Sequence, residues 1–175
     1  MTLEELKTYV RDIPDFPKPG IVFKDITPLV GSGPALAEVV GRIGDRYRGS
    51  IDTVLGIESR GFIVGAPVAH RLGLGMTVVR KPGKLPGDTL AADYELEYGT
   101  DRLEIHKDAF GKKSRVLIVD DLLATGGTVS AAIELVRRLG GEVAGCAFII
   151  ELGFLKGRQR LGDVEVFSLL GYDGE

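Results

Sequence analysis

The sequence predicts an α/β protein built on an open, mainly parallel sheet flanked by helices. Three observations carry that expectation. Two apolar, β-branched runs, Thr53 to Ile57 and Val116 to Val119, have the character of strands buried on both faces. Each stops at a polar, glycine-containing loop that leads into a helical period, Glu58-Ser59-Arg60-Gly61 in the first case and Asp120 to Thr128 in the second. A further apolar run, Val143 to Ile150, follows the second helix. Strand, helix and strand in that order imply a right-handed crossover in a parallel sheet.

Taken in order, Thr2 with Glu5 three residues later fits a capping box for a short helix over Thr2 to Arg11. Pro14, Pro17 and Pro19 then break regular structure and fix an extended path into Ile21-Val22-Phe23, a short strand or edge segment. By itself this stretch reads as an arm that covers the core. Gly33-Pro34 suits an N-cap and N1 pair, and Leu36, Val39, Val40, Ile43 and Tyr47 keep one helical face apolar until Gly49. After the strand at 53 to 57, a small-residue helix runs from Gly61 through Ala66 and Ala69, and Met76 to Val79 forms a third strand. About 30 residues without a helical period come next, which is long for a connection in a compact domain. They open with Arg80, Lys81 and Lys84 among prolines and glycines. Tyr94 to Tyr98 and Arg102 to His106 then alternate apolar and polar about Gly99-Thr100-Asp101, the pattern of a β-hairpin. In the second helix Val129, Ala132, Ile133, Val136 and Leu139 recur at threes and fours, Arg137 and Arg138 fall in the last turn, and Gly140-Gly141 ends it. Glu151 to Leu161 reads as a basic loop or short helix, and Val164 to Leu170 as the final strand.

A chain of 175 residues fits one domain with a sizeable core, and a net charge of -3 gives no reason to expect a nucleic-acid partner. Cys146, the single cysteine, lies in an apolar run, so a buried thiol is expected and a disulfide framework is excluded within the chain. His70 and His106 lack companions at metal-ligand spacing, which favours structural or surface roles. No apolar stretch approaches the length of a membrane span and no leader pattern opens the chain, so a cytoplasmic location is expected.

The chemistry concentrates at Arg115 to Thr128. A strand, a Gly/Thr loop and a helix N-terminus in that order make an anion site, because the first helical turn leaves N–H groups without partners and the macrodipole is positive there. Asp120 and Asp121 would repel a phosphate at close range, so they are better read as acceptors for sugar hydroxyls or as partners of a cation. Together the features suggest a sugar phosphate. A strand ending in Asp and turning into a Gly-started helix also occurs where the Asp only caps, and the loop alone does not separate the two readings.

The run Val-Leu-Ile-Val-Asp-Asp-Leu-Leu-Ala-Thr-Gly-Gly-Thr, residues 116 to 128, resembles the phosphoribosyl pyrophosphate (PRPP) signature of type I phosphoribosyltransferases, and Leu122-Leu123-Ala124 resembles the adenine-specific branch of that family. The segments 16 to 28, 58 to 62, 80 to 87 and 95 to 99 are similar to further family segments, in the same order and spacing. This resemblance implies a single phosphoribosyltransferase domain over 1 to 175, with a hood at 1 to 33 and a flexible lid at 80 to 108. It implies transfer between adenine and PRPP, giving AMP and pyrophosphate, with Mg²⁺ bound mainly by PRPP's own oxygens and no metal ligand from the protein.

The roles it implies are as follows. Ala124, Thr125, Gly126, Gly127 and Thr128 hold the 5′-phosphate, while Asp120 and Asp121 accept from the ribose hydroxyls. Glu58, Ser59 and Arg60 bind pyrophosphate together with Arg80, Lys81 and Lys84, often through a loop with a strained peptide bond. Backbone groups of Val22 and Lys24 read the purine edge, Phe23 and Leu122 wall the base, and Glu97 handles the base's proton. Arg80 is placed to reach a neighbouring subunit's site, which implies a homodimer. Lys24 stands where many members have Arg. The alternatives are transfer to another purine base, or a non-catalytic PRPP-binding regulator. The second would want a DNA-binding domain before the first strand, and no basic recognition helix is visible there.

Overall fold

The computed structural model describes residues 1–95 and 99–174. Its N-terminal part is an arm. Helix α1 (Leu3–Lys7) starts at the expected capping box, with Thr2 and Glu5 exchanging both hydrogen bonds. It is shorter than its sequence pattern, because Arg11 leaves the helix to form β1 (Arg11–Ile13), which pairs antiparallel with β2 (Phe23–Asp25). A single helical turn that the periodicity had not announced, α2 (Thr27–Gly31), follows with Pro28 in its first turn. Helix α3 (Gly33–Tyr47) is capped by the side chain of Ser32 rather than by Gly33, so glycine and proline occupy the first two helical positions.

The core sheet consists of β3 (Thr53–Ile57), β4 (Gly75–Val79), β7 (Arg115–Leu123), β8 (Glu142–Leu152) and β9 (Val166–Tyr172) in the order β4-β3-β7-β8-β9, with every neighbouring pair parallel. Helix α4 (Arg60–Leu72) connects β3 to β4. A hairpin, β5 (Thr89–Glu95) and β6 (Thr100–His106), lies between β4 and β7 in the chain and forms its own two-stranded sheet. Its first strand starts at Thr89, earlier than Tyr94, because the cross-strand ladder runs from Thr89↔His106 to Glu95↔Thr100. Helix α5 (Gly127–Arg138) joins β7 to β8, and a 3₁₀ turn with α6 (Gly157–Arg160) joins β8 to β9.

Alternation along the strands divides the core into two layers. Val54, Leu117, Val119, Ala147 and Ile149 face α3 and α4, together with Leu6 and Leu29 of the arm. Leu55, Ile57, Val116, Ile118, Cys146 and Phe148 face α5 and the hairpin residues Ala92, Tyr94, Leu103 and Ile105. The hairpin therefore belongs in part to the core, since its inward-facing positions are buried against the sheet. Cys146 is fully buried as expected, and burial pushes its thiol up to about 12, so it is held as an unreactive thiol. Among the described residues no helix is long and apolar enough to cross a membrane.

One boundary matters for the site. Strand β7 does not stop at Val119 but continues through Asp120, Asp121 and Leu122 to Leu123, because Asp120 pairs with Phe148, Leu122 with Ile150 and Leu123 with Glu151 of the longer β8. The two carboxylates are consequently strand residues held by backbone ladders, not loop residues.

Candidate active site

Helices α4 and α5 leave adjacent strands β3 and β7 and cover opposite faces of the sheet. The carboxyl ends of β3 and β7 thus flank a topological switch point, the place where open α/β sheets form a crevice. A cavity of about 480 Å³ occupies it, lined by Ile57, Glu58, Ser59 and Arg60 from one side, Asp120, Asp121, Leu122 and Thr128 from the other, and Lys81, Tyr94 and Leu103 from the hairpin region.

Arg60 is the first residue of α4, and its Nε lies 2.8 Å from Asp121 Oδ2 across the crevice. The two helix and strand ends approach this closely because residue 61 is glycine: a Cβ there would stand 2.6 Å from the Val119 carbonyl oxygen. Asp121 is buried, whereas the Arg60 side chain remains 44% exposed, so the guanidinium is available to a ligand on its open side. The contact is an ion pair without a well-aimed N–H, which leaves Asp121 Oδ2 without a hydrogen bond among the described residues. Asp120 Oδ1 accepts from the Asp121 backbone N–H at 2.9 Å. Burial, then the charge of Asp121, raise the Asp120 carboxyl well above its ordinary value. Burial also raises Asp121, against the opposing pull of Arg60. The Arg60 guanidinium also lies over the Phe23 ring at 5.4 Å, which brings the arm to the rim of the crevice.

On the β3 side the peptide Glu58–Ser59 is cis. The Glu58 carboxylate gathers the segment that follows β4: Oε1 accepts from Arg80 Nη2 at 3.1 Å and Lys84 Nζ at 2.5 Å, and Oε2 accepts from the Lys81 backbone N–H at 2.8 Å. Burial would raise this carboxyl, but those three donors outweigh it and hold it at about 2. A carboxylate with a depressed folded value contributes stability that is present above its unfolded value near 4.5 and is lost as pH falls toward 2. The difference in unfolding free energy between the wild type and Glu58→Gln, measured by urea titration, is therefore expected to shrink between pH 4.5 and pH 2. A difference that stays constant over that range would remove this account of Glu58.

Lys81 extends toward the hairpin, where its Nζ bonds the Asp101 carboxylate and the Tyr94 hydroxyl, the latter at 2.6 Å. Thus Arg80 and Lys84 are tied to one end of the crevice and Lys81 to the other.

The crevice unites Glu58, Ser59, Arg60, Lys81, Asp120, Asp121, Leu122 and Thr128, all singled out from the sequence. Gly127 lines a neighbouring hollow that also contains Tyr94. Lys24 is buried away from the cavity lining, with its ammonium 2.9 Å from Asp12 Oδ1 and over the Tyr172 ring, and Val22 is not among the lining residues. Glu97 lies outside the described residues. Sequence reasoning did not single out Tyr94, Asp101 or Leu103. The only available signal was hairpin alternation, which places Leu103 on an inward face but does not say against what.

A family model described as phosphoribosyl transferase domain matches residues 32–173. The chain is 58% identical to the adenine phosphoribosyltransferase of Chloroflexus aurantiacus over 173 residues, covering 98% of this chain and 100% of that one. In structure it is similar to the adenine phosphoribosyltransferase of Thermoanaerobacter pseudethanolicus, with TM-score 0.95 and 52% identity over 98% of this chain and 100% of the other. It is also similar to the Saccharomyces cerevisiae enzyme solved with D-2,5-dideoxy-2,5-imino-altritol 1,6-bisphosphate and adenine, with TM-score 0.91 and 42% identity over 96% and 98% of the two chains.

Proposed function

The chain belongs to the phosphoribosyl transferase domain family, and from that membership together with its crevice we propose that it transfers the ribose 5-phosphate of PRPP to adenine, forming AMP and releasing pyrophosphate. The observation that carries the assignment of roles is the Arg60–Asp121 pair at the switch point, one cation open to a leaving anion beside buried acceptors for a sugar.

In this reading a purine ring nitrogen attacks C1 of the ribose as the C1–oxygen bond to pyrophosphate breaks, and the nitrogen's proton leaves to a base. Positive charge grows on the sugar, so catalysis rests on holding the partners in line, stabilising the leaving group and excluding water. The free N–H groups at the start of α5 and the Thr128 hydroxyl bind the 5′-phosphate, with Ala124 to Gly127 as the loop. Asp120 and Asp121 take the ribose hydroxyls, Arg60 and the lid cations draw off pyrophosphate, and Phe23 with Leu122 walls the base. The Glu58 carboxylate serves this scheme indirectly, by fixing Arg80 and Lys84 at the pyrophosphate end. Val22 and Lys24 contribute through their backbone groups.

Mg²⁺ fits best as an ion carried in on PRPP, because Asp121 is committed to Arg60 and phosphate oxygens are its natural ligands. There it would neutralise charge on the pyrophosphate. We place the enzyme in the cytoplasm as a homodimer, which light scattering tests. Within one chain Arg80 turns inward to Glu58, so a role at a neighbour's site requires that contact to open.

The decisive assay follows pyrophosphate release from PRPP and Mg²⁺ with adenine, hypoxanthine or guanine supplied separately. Release with adenine is expected, and its absence overturns the proposal. Asp121→Asn should lower turnover by about 10²-fold, since it removes the charge opposite Arg60 and weakens the hold on ribose. Wild-type turnover in that variant would remove the role given to Asp121. Glu97→Leu should impair turnover more than PRPP binding, and equal rates in variant and wild type would withdraw Glu97 as the proton-handling group.

A further inference from the structure

We infer that Gly157 and Arg158 are positioning residues for the Ala124–Gly127 loop and set its affinity for the 5′-phosphate, an inference that rests on the role proposed above for that loop. Gly157, the first residue of α6, is buried against the loop backbone. A Cβ at Gly157 would stand 2.1 Å from the Ala124 carbonyl oxygen and 3.1 Å from the Gly126 backbone nitrogen. The approach is reciprocal, since a Cβ on Gly126 would stand 2.7 Å from the Gly157 carbonyl oxygen. Gly126 also has φ +83°, in the left-handed region that favours glycine. Two backbones therefore touch with no side chain between them, and a methyl group on either side must displace main chain rather than a flexible tip.

What presses α6 into that position is a fork of hydrogen bonds from Arg158. Its Nε and Nη2 donate to Glu151 Oε1 and Oε2 at 2.9 and 2.5 Å, Nη1 donates to the Val166 carbonyl at 2.9 Å, and Nη2 reaches Ser168 Oγ at 3.2 Å. The Ser168 hydroxyl donates to Glu151 as well. Glu151 is in turn the ladder partner of Leu123, the residue that precedes Ala124. The loop is thus held at its entrance by the β7–β8 ladder and from outside by Gly157, and both supports meet at Glu151. A bidentate guanidinium fixes orientation as well as distance, which lysine cannot reproduce.

A misplacement of about 1 Å in a group that positions substrate can cost on the order of 10²-fold in rate, and main-chain N–H groups, fixed to the backbone, cannot re-aim to offset such a shift. The test compares the wild-type full-length protein with Gly157→Ala and Arg158→Met, after thermal melts establish folding. It reads the calorimetric Kd for ribose 5-phosphate and the KM values for PRPP and adenine. Gly157→Ala should raise the ribose 5-phosphate Kd and the PRPP KM by about 10- to 100-fold, and Arg158→Met by about 5- to 10-fold, with the adenine KM within about twofold of wild type. Where Gly157→Ala does not fold, Arg158→Met decides. Folded variants with wild-type affinity for ribose 5-phosphate overturn the inference, as does an equal loss toward adenine and PRPP. Failure of the wild type to bind ribose 5-phosphate overturns the loop assignment and this inference with it, whereas wild-type binding with unaffected variants overturns this inference alone.

Discussion

Arg60→Met should lower kcat/KM for PRPP by about 10²- to 10³-fold, the loss typical of removing one group that stabilises developing charge. The side chain makes two contacts whose loss acts in the same direction. Toward the sheet it is the cation 2.8 Å from the buried Asp121, and toward the arm it lies over the Phe23 ring. Methionine keeps most of the stem but leaves Asp121 without its counter-ion. Because Arg60 is the charge that opposes the upward push of burial on Asp121, that carboxyl should titrate at higher pH in the variant. Steady-state kinetics and a carboxyl-resolved NMR titration measure the two effects, and kcat/KM within threefold of wild type would refute the role. Arg60→Lys should recover only part of the loss, since an ammonium supplies charge without the planar fork.

Phe148→Ala should destabilise the protein by about 3–5 kcal/mol, which urea unfolding reads directly. Phe148 is fully buried in the layer between the sheet and α5, and it is among the largest side chains with no exposure. Its place in β8 is opposite Asp120, so the cavity left behind would lie next to the strand that carries the carboxylate pair. Water entering there would ease the burial that raises Asp120, and the carboxyl should move back toward its ordinary value. A cost below about 1 kcal/mol would mean that the layer collapses around the smaller residue.

Much of the fold is legible in the sequence because its signals are local. The run Thr53 to Ile57 is the strand to the residue, the period from Val129 to Val136 is the buried face of α5, and Thr2 with Glu5 forms the capping box. The failures share a cause. Arg11 leaves a helical pattern because Asp25, far along the chain, offers it a strand partner. Asp120 and Asp121 continue a strand that polar residues ordinarily end, because β8 is long enough to go on pairing with them. In each case a distant backbone satisfied hydrogen bonds that local propensity would have placed elsewhere.

The site divides along the same line. Residue types and spacing, with a family resemblance spanning most of the chain, were enough to nominate Arg60, Asp120, Asp121 and Thr128. Only the folded chain decides what they touch. That Arg60 faces Asp121, that Glu58 engages Arg80 and Lys84 rather than standing open, and that Gly157 meets Gly126 without a side chain between them are all consequences of strand order and helix placement. Periodicity and turn chemistry depend on neighbours a few residues apart and are written in the sequence itself. Ion pairing, burial and the carboxyl shifts they cause depend on distances between segments, which the five-stranded sheet sets when it brings the ends of β3 and β7 side by side.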